Sequence, residues 1–269
     1  MTDIIYRSDG RPLCDECPCP SECQAGVIAC LDDIKRHPGI DVIVPVLSRP
    51  GNAQPLIDSI RANTTVEHTI TFMVSPDDHA ELKACEATDA DIYIVEWQPG
   101  PADASKKWNL GYTITENPFV FTAADDITFT PGWDTEALKV AEKTGAGMVG
   151  TNDDANPLVK RGRHSTHSLF SRAYIDTVGG TFFDGPGIIY AECYDHQWID
   201  AESVKAAMDR RQWAFAHQSL VVHHHPIYDR SVKMDDTYTK ALGDARQDKQ
   251  LYEQRLRQWS QQRRQGAIV

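Results

Sequence analysis

Asp41-Val42-Ile43-Val44-Pro45-Val46-Leu47, broken at once by Ser48-Arg49-Pro50-Gly51-Asn52, is the stretch that decides the fold. A continuous apolar run of this length suits a strand covered on both faces, as in a parallel sheet flanked by helices. The turn residues deliver the chain into a helical stretch through Pro55, Leu56, Ile57, Ile60 and Arg61, with the proline near the first turn, where its missing N–H costs nothing. Working outward, the same alternation repeats. Residues 69–74 form a second apolar strand ended by Ser75-Pro76-Asp77-Asp78, where Ser75 or Asp77 can cap the next helix. Residues 91–95 form a third strand, followed by the loop Gln98-Pro99-Gly100-Pro101. A helix over about 104–115 precedes a fourth strand, Phe119-Val120-Phe121-Thr122-Ala123, which runs into Asp125-Asp126. Beyond it come a helix over 134–144, strands at 147–150 and 168–171, and a Gly-rich passage from Gly179 to Gly187. A helix over 195–211 and two short strands, 213–216 and 219–222, lead to His223-His224-His225-Pro226. The pattern predicts an α/β fold, a mostly parallel sheet flanked by helices over residues 39–238. A Cys-rich segment over 1–38 precedes it, and a polar, Gln- and Arg-rich tail over 239–269 follows, read as a solvated helix or frayed terminus.

Composition narrows the class. With 269 residues, 41% hydrophobic and 25% charged, the chain can bury one sizeable core and a small appendage. It contains no run of about 18 apolar residues, and its first residues lack a basic n-region and an apolar h-region, so neither a membrane span nor a signal peptide is expected. A cytoplasmic location follows as an expectation. The 39 acidic against 27 basic residues, a formal charge of −12, disfavour nucleic-acid binding except through a local basic groove. Cys14, Cys17, Cys19 and Cys23 have knuckle-like spacing, and four thiolates satisfy a tetrahedral Zn²⁺, yet the second knuckle usual about 15–20 residues on is missing. Structural zinc and reduced structural cysteines both remain open, disulfides being disfavoured in a reducing compartment.

Open α/β sheets bind ligands at the carboxyl ends of their strands. Asp125 and Asp126 fall at such an end and offer the hard oxygens that Mg²⁺ or Mn²⁺ prefers, the rest of the shell coming from substrate phosphates. Taken alone, the pair equally suits a turn or a helix cap. In the late histidine run, strand alternation places His223 and His225 on one face and His224 on the other. Imidazole suits Mn²⁺ better than Mg²⁺, and the competing reading is a polar strand end with solvated rings.

At this point the sequence resembles the GT-A-fold glycosyltransferases of the large inverting family. The resemblance rests on the first strand with its Ser48-Arg49-Pro50 turn, Lys106-x-x-Asn109-x-Gly111, Ala124-Asp125-Asp126 with Pro131-Gly132-Trp133 behind it, Asp200-x-Glu202, and the late His-x-His-Pro. HSTHS (164–168), YDHQWID (194–200) and VVHHHP (221–226) resemble a group of such enzymes from phages and actinobacteria. The resemblance covers about 40–238 and implies a Rossmann-like GT-A domain that moves a sugar from a nucleoside-diphosphate sugar, UDP being the commonest base, to a hydroxyl on a virion protein, a modified DNA base or a glycan.

Residue by residue, the resemblance implies that Asp126 holds Mn²⁺ or Mg²⁺ with His223 as a further ligand. Asp125 occupies the middle position of the DxD motif, whose first acid is Ala124 here. Ser48, Arg49, Asp77, Lys106, Asn109, Asp125 and His225 are implied to face the donor. Asp200 falls at the general-base position, with Asp195 and Glu202 as rivals because Ile199 replaces the usual preceding acid. His164, His167, Tyr194 and Trp198 are implied to face the acceptor, packing being an equal alternative for Trp198, while Trp133 is expected to pack beneath the acid loop. Two other readings stand beside this one: a nucleotidyltransferase, for which Ser48-Arg49-Pro50-Gly51 is a poor phosphate loop, and a non-catalytic nucleotide- or sugar-binding or virion structural module.

Overall fold

The computed structural model describes residues 38–243 and 245–266. The Cys-rich segment, with Cys14, Cys17, Cys19 and Cys23, lies outside the described residues, and the fold below belongs to the unit from Gly39 to Val269.

Eight strands form one sheet: β1 (Ile40–Pro45), β2 (His68–Val74), β3 (Asp91–Ile94), β4 (Phe119–Thr122), β5 (Ile127–Phe129), β6 (Met148–Asn152), β7 (Ser168–Ser171) and β8 (Trp213–His223), in the order β3-β2-β1-β4-β7-β6-β8-β5. The first half, β3-β2-β1-β4, is wholly parallel, as the apolar runs require. In the second half only β6 and β8 pair parallel; β7 runs antiparallel to β4 and β6, and β5 runs antiparallel to β8. The two short strands expected after residue 212 are one strand, β8, whose register with β6 shifts at Thr151/Asn152. β5 carried no alternation long enough to be read from sequence, at three residues.

The helices are α1 (Ala53–Asn63), α2 (His79–Glu86), α3 (Asp103–Ile114), α4 (Trp133–Thr144), α5 (Pro157–Lys160), α6 (Arg172–Val178), α7 (Ile199–Asp209), α8 (Asp236–Gly243) and α9 (Ala245–Arg264). Strand alternation sends β1 to both faces of the sheet. Ile40, Val42 and Val44 join one buried cluster with Leu56, Ile57 and Ile60 of α1, while Ile43 joins a second with Trp108 and Tyr112 of α3 and Val204 of α7. Trp133 fulfils its expected packing role: it is fully buried, its ring lies 4.7 Å from Phe121 and 4.6 Å from Phe129, and its Nε1 donates to Thr64 Oγ1.

The close approach of α3 to β1 depends on Gly111, where an added Cβ would stand 2.5 Å from Ile43 Cγ2. Ile43 is wholly buried and has nowhere to retreat. Gly111→Val should therefore lower stability by about 1–3 kcal/mol through overpacking, read as a fall in thermal midpoint; an unchanged midpoint would mean that the helix stands farther from the strand.

The C-terminal tail differs from its expected solvated state. The helix forms, but Asp248, Tyr252, Arg255 and Trp259 recur at helical spacing on one inward face. Trp259 is fully buried beside Phe182, and Arg255 donates to Glu202 from both Nε and Nη2. The high polarity of this helix hid the inward stripe from a reading based on apolar residues alone. No helix among the described residues is long and apolar enough to cross a membrane.

Candidate functional site

Pairing with β1 carries the fourth strand to Ala123, whose N–H donates to Ile43 O, and the chain then turns through Asp125-Asp126 into β5. Because β5 pairs with the end of β8, Ile127 lies opposite His223, and His224 N donates to Asp126 O at 2.8 Å. Residues almost a hundred positions apart are thus joined by one hairpin-like register, and His223 Nε2 comes within 3.4 Å of Asp126 Oδ1. Asp126 Oδ2 accepts from Tyr238 Oη at 2.8 Å.

Arg49 joins both acids. Its Nη1 lies 3.3 Å from Asp125 Oδ1 and 3.4 Å from Asp126 Oδ2, its Nε donates to Asp235 at 2.8 Å, and its guanidinium lies 3.7 Å from the centre of the Tyr238 ring. The Ser48-Arg49 turn is built to hold it there. Ser48 takes a left-handed backbone (φ 56°), and its N–H donates to Asp78 Oδ2, while Arg49 N–H donates to Glu81 Oε2, each at 2.6 Å. Asp78 also caps α2 by accepting from Glu81 N.

The two carboxylates are held in opposite states. Burial, reinforced by the neighbouring Asp126 charge, raises Asp125 far above the usual carboxylate range. Burial also opposes ionisation of Asp126, but His223 and Tyr238 outweigh it and hold this acid low. His223 is raised in turn, since Asp126 overcomes its desolvation. Burial, then the His223 charge, pushes both His167 and His225 down to about 4. The His167 ring stands edge-on to His223 at 5.0 Å, with Nδ1 donating to Thr122 O. Its implied place facing the acceptor differs from what the structure shows: the ring is 4% exposed, held between Thr122 O and His223.

These groups fit a divalent cation of the Mg²⁺ or Mn²⁺ kind. Asp126 Oδ1 is buried with no hydrogen-bond partner among the described residues and faces the His223 imidazole, whereas the Arg49 guanidinium pairs with Oδ2 of Asp126 and with Asp125, so it is the Oδ1 side that suits an ion. Among the described residues no three His, Cys, Asp or Glu side chains converge on one ion. The protein thus offers Asp126 and His223, a sparse set of the kind that substrate phosphates and water complete.

Asp200 stands in the first turn of α7. Its Oδ1 accepts from Ala201 N at 2.7 Å and its Oδ2 lies 3.1 Å from His164 Nε2. Both side chains stay accessible, at 22% and 18%, so either can meet a substrate. Burial opposes ionisation of Asp200, but His164 and the Ala201 N–H win and lower it; burial likewise opposes protonation of His164, which Asp200 raises. Of the rival bases, Glu202 is fully buried and accepts from Phe182 N, Tyr194 Oη and Arg255, which leaves it no free face for a substrate hydroxyl. Asp195 precedes α7 in a loop whose amides are held by Asp248.

Other implied contacts are relocated. Tyr194 is a core residue, 1% exposed, its hydroxyl donating to Glu202. The Trp198 ring stacks on Tyr252 at 5.1 Å, its packing alternative. Asn109 has both amide atoms engaged, Nδ2 donating to Tyr190 O and Glu192 Oε1 and Oδ1 accepting from Ile189 N and Tyr190 N, so it shapes the 189–192 segment instead of facing a donor. Among the described residues Lys106 donates to Pro101 O alone, whereas the fully buried Lys107 donates to Val46 O and Ser75 Oγ and pairs with Asp103, tying the ends of β1 and β2 together. The i,i+4 spacing of Asp103 and Lys107 was the available signal. Asp77 accepts from Gln98 Nε2, leaving the Ser48 turn to Asp78. The His225 ring stands 5.3 Å from His223 and 4.8 Å from Tyr238. Asp78, Glu81, Asp235 and Tyr238 were not singled out from sequence, and the last two follow His225 without any motif.

No protein-family model matches the chain, and no curated protein sequence matches it. Solved structures do. A mannosyltransferase from Pyrobaculum calidifontis in complex with GDP-Man and Mn²⁺ is similar with a TM-score of 0.55 and 14% identity, over 70% of this chain and 57% of that one. Glucosyl-3-phosphoglycerate synthase from Mycobacterium tuberculosis, in complex with Mn²⁺, UDP and phosphoglyceric acid, is similar with a TM-score of 0.53 and 14% identity, over 74% of this chain and 75% of that one. Residues 1–349 of S. aureus TarS give 0.51 and 11%, over 70% and 61%. The chain therefore spans less than two thirds of the mannosyltransferase and TarS chains it matches. At these identities the likeness is one of fold: the described chain has the GT-A, Rossmann-like α/β architecture, with an acid turn at the carboxyl end of β4.

Proposed function

We propose that the protein is a metal-dependent, inverting glycosyltransferase that moves a sugar from a nucleoside-diphosphate sugar to a hydroxyl acceptor. The observation that carries this reading is the meeting of Asp126 and His223 at 3.4 Å, beside Arg49, on a fold shared with glycosyltransferases solved with GDP-Man, UDP and Mn²⁺. Asp126 and His223 hold the ion, and Ser48, Arg49, Asp125 and His225 line the donor side. When bound, Mn²⁺ or Mg²⁺ supplies positive charge that stabilises the diphosphate as it leaves. Arg49, fixed by Asp235, adds a second cation to the same region.

Asp200 acts on the acceptor. Kept ionised by His164, its accessible carboxylate takes the proton of the acceptor hydroxyl as that oxygen attacks the anomeric carbon. Attack from the face opposite the departing diphosphate gives inversion. A lowered pKa means that the base stays charged, and activity persists, until the pH falls below the ordinary carboxylate range. Removing the imidazole in His164→Gln takes away the chief group that lowers Asp200, so the acid limb of the pH–rate profile should move upward; an acid limb that stays in place would separate His164 from the base.

Turnover of UDP-glucose or GDP-mannose with Mn²⁺, read as release of the nucleoside diphosphate, tests the enzymatic reading. A binding module releases none.

A further inference from the structure

The loop that leads into α7 is held by a residue far along the chain. Asp248, in the first turn of α9 and 1% exposed, accepts from three consecutive peptide N–H groups: Asp195 at 2.8 Å, His196 at 2.9 Å and Gln197 at 2.7 Å. Successive amides converging on one anion form a nest, a geometry commonly used for phosphate or carboxylate ligands; here the protein fills it with its own carboxylate. The next residue, Trp198, takes a left-handed backbone (φ 71°), which non-glycine residues adopt sparingly, and serves as the N-cap residue of α7. One turn along α9 from Asp248, Tyr252 stacks on the Trp198 ring at 5.1 Å with an interplanar angle of 28°. Asp200 follows two residues after Trp198. The nest also fixes the backbone of His196.

We infer that Asp248 is a positioning residue for the reaction: from outside the segment that resembles the family, it sets the left-handed entry to α7 and so aims Asp200 at the acceptor. The inference rests on the reading of Asp200 as the base. Asp134 also accepts from successive amides, those of Thr65 and Val66; Asp248 differs in that its three amides immediately precede the helix that carries Asp200, and Tyr252 packs on the left-handed Trp198 at that junction. Loosening this grip breaks none of the hydrogen bonds and ion pairs that hold Asp126 to His223, Tyr238 and Arg49, or Arg49 to Asp235.

The test uses the full chain with Mn²⁺ and whichever of UDP-glucose or GDP-mannose the wild type turns over. Asp248→Ala should lower kcat for nucleoside-diphosphate release by about 10- to 100-fold, the scale of a small misplacement of a reacting group. KM and the affinity for UDP or GDP by calorimetry should stay within about twofold, because uniform binding is untouched. Asp248→Asn, which retains one acceptor oxygen, should fall between, and Tyr252→Leu should show the same kcat-only loss; these two carry the test if Asp248→Ala does not fold. Unchanged kcat in the folded variants would overturn the inference, as would a parallel loss of kcat and nucleotide affinity. Asp200→Asn, assayed alongside, separates the two readings. Wild-type turnover there removes Asp200 as base and this inference with it, whereas loss there with full activity in the Asp248 variants removes this inference alone.

Discussion

Asp126→Ala should lower nucleotide-sugar turnover by roughly three orders of magnitude, equivalent to ~4 kcal/mol of lost leaving-group stabilisation. The size of the effect follows from the inequality of the two acids. Asp126 is the one held ionised, with a buried oxygen facing His223, while Asp125 is pushed toward its neutral form by burial and by Asp126 itself. Asp125→Ala should therefore cost far less, and the contrast between the variants is more telling than either value. The fold should survive the change. Arg49 keeps Asp235 and Asp125, the Tyr238 hydroxyl keeps His224 O, and His223, once the carboxylate is gone, sheds its proton and leaves no unpaired charge buried. Turnover within a few-fold of wild type in Asp126→Ala would show that the acid turn is structural.

Asp200→Asn should separate binding from transfer. The amide retains an oxygen that can accept from Ala201 N and stay beside His164, so α7 keeps its first turn, while the group that removes a proton is gone. General-base catalysis contributes about 10²–10⁴-fold, and turnover should fall by that amount with nucleotide affinity unchanged. Equal losses of binding and transfer would place Asp200 on the donor side instead.

The sequence disclosed the parallel half of the sheet because β1, β2 and β4 are buried on both faces and their apolar runs are continuous. It disclosed the acid turn and the late histidines because each stands at the end of such a run. What joins them, the pairing of β5 with β8, was hidden by the brevity of β5, so their 3.4 Å meeting could not be read from spacing. Side chains whose partners are backbone atoms were the hardest to place. Asn109 carried a family-like motif, yet its amide is occupied by the 189–192 segment; Tyr194 stood in a motif and is buried against Glu202. Conversely, Asp248 lay in a polar tail with no apolar signal, although it binds three amides. Hydrogen-bond valence, which decides these positions, leaves little trace in hydrophobic periodicity.

The most direct measurement is calorimetric titration of UDP, GDP, CDP and ADP into the wild type and Asp126→Ala, each with and without Mn²⁺. The donor site described above predicts binding of one nucleotide that requires Mn²⁺ in the wild type and is lost in Asp126→Ala. No binding of any nucleotide to the wild type, or Mn²⁺-independent binding that survives in Asp126→Ala, would contradict it.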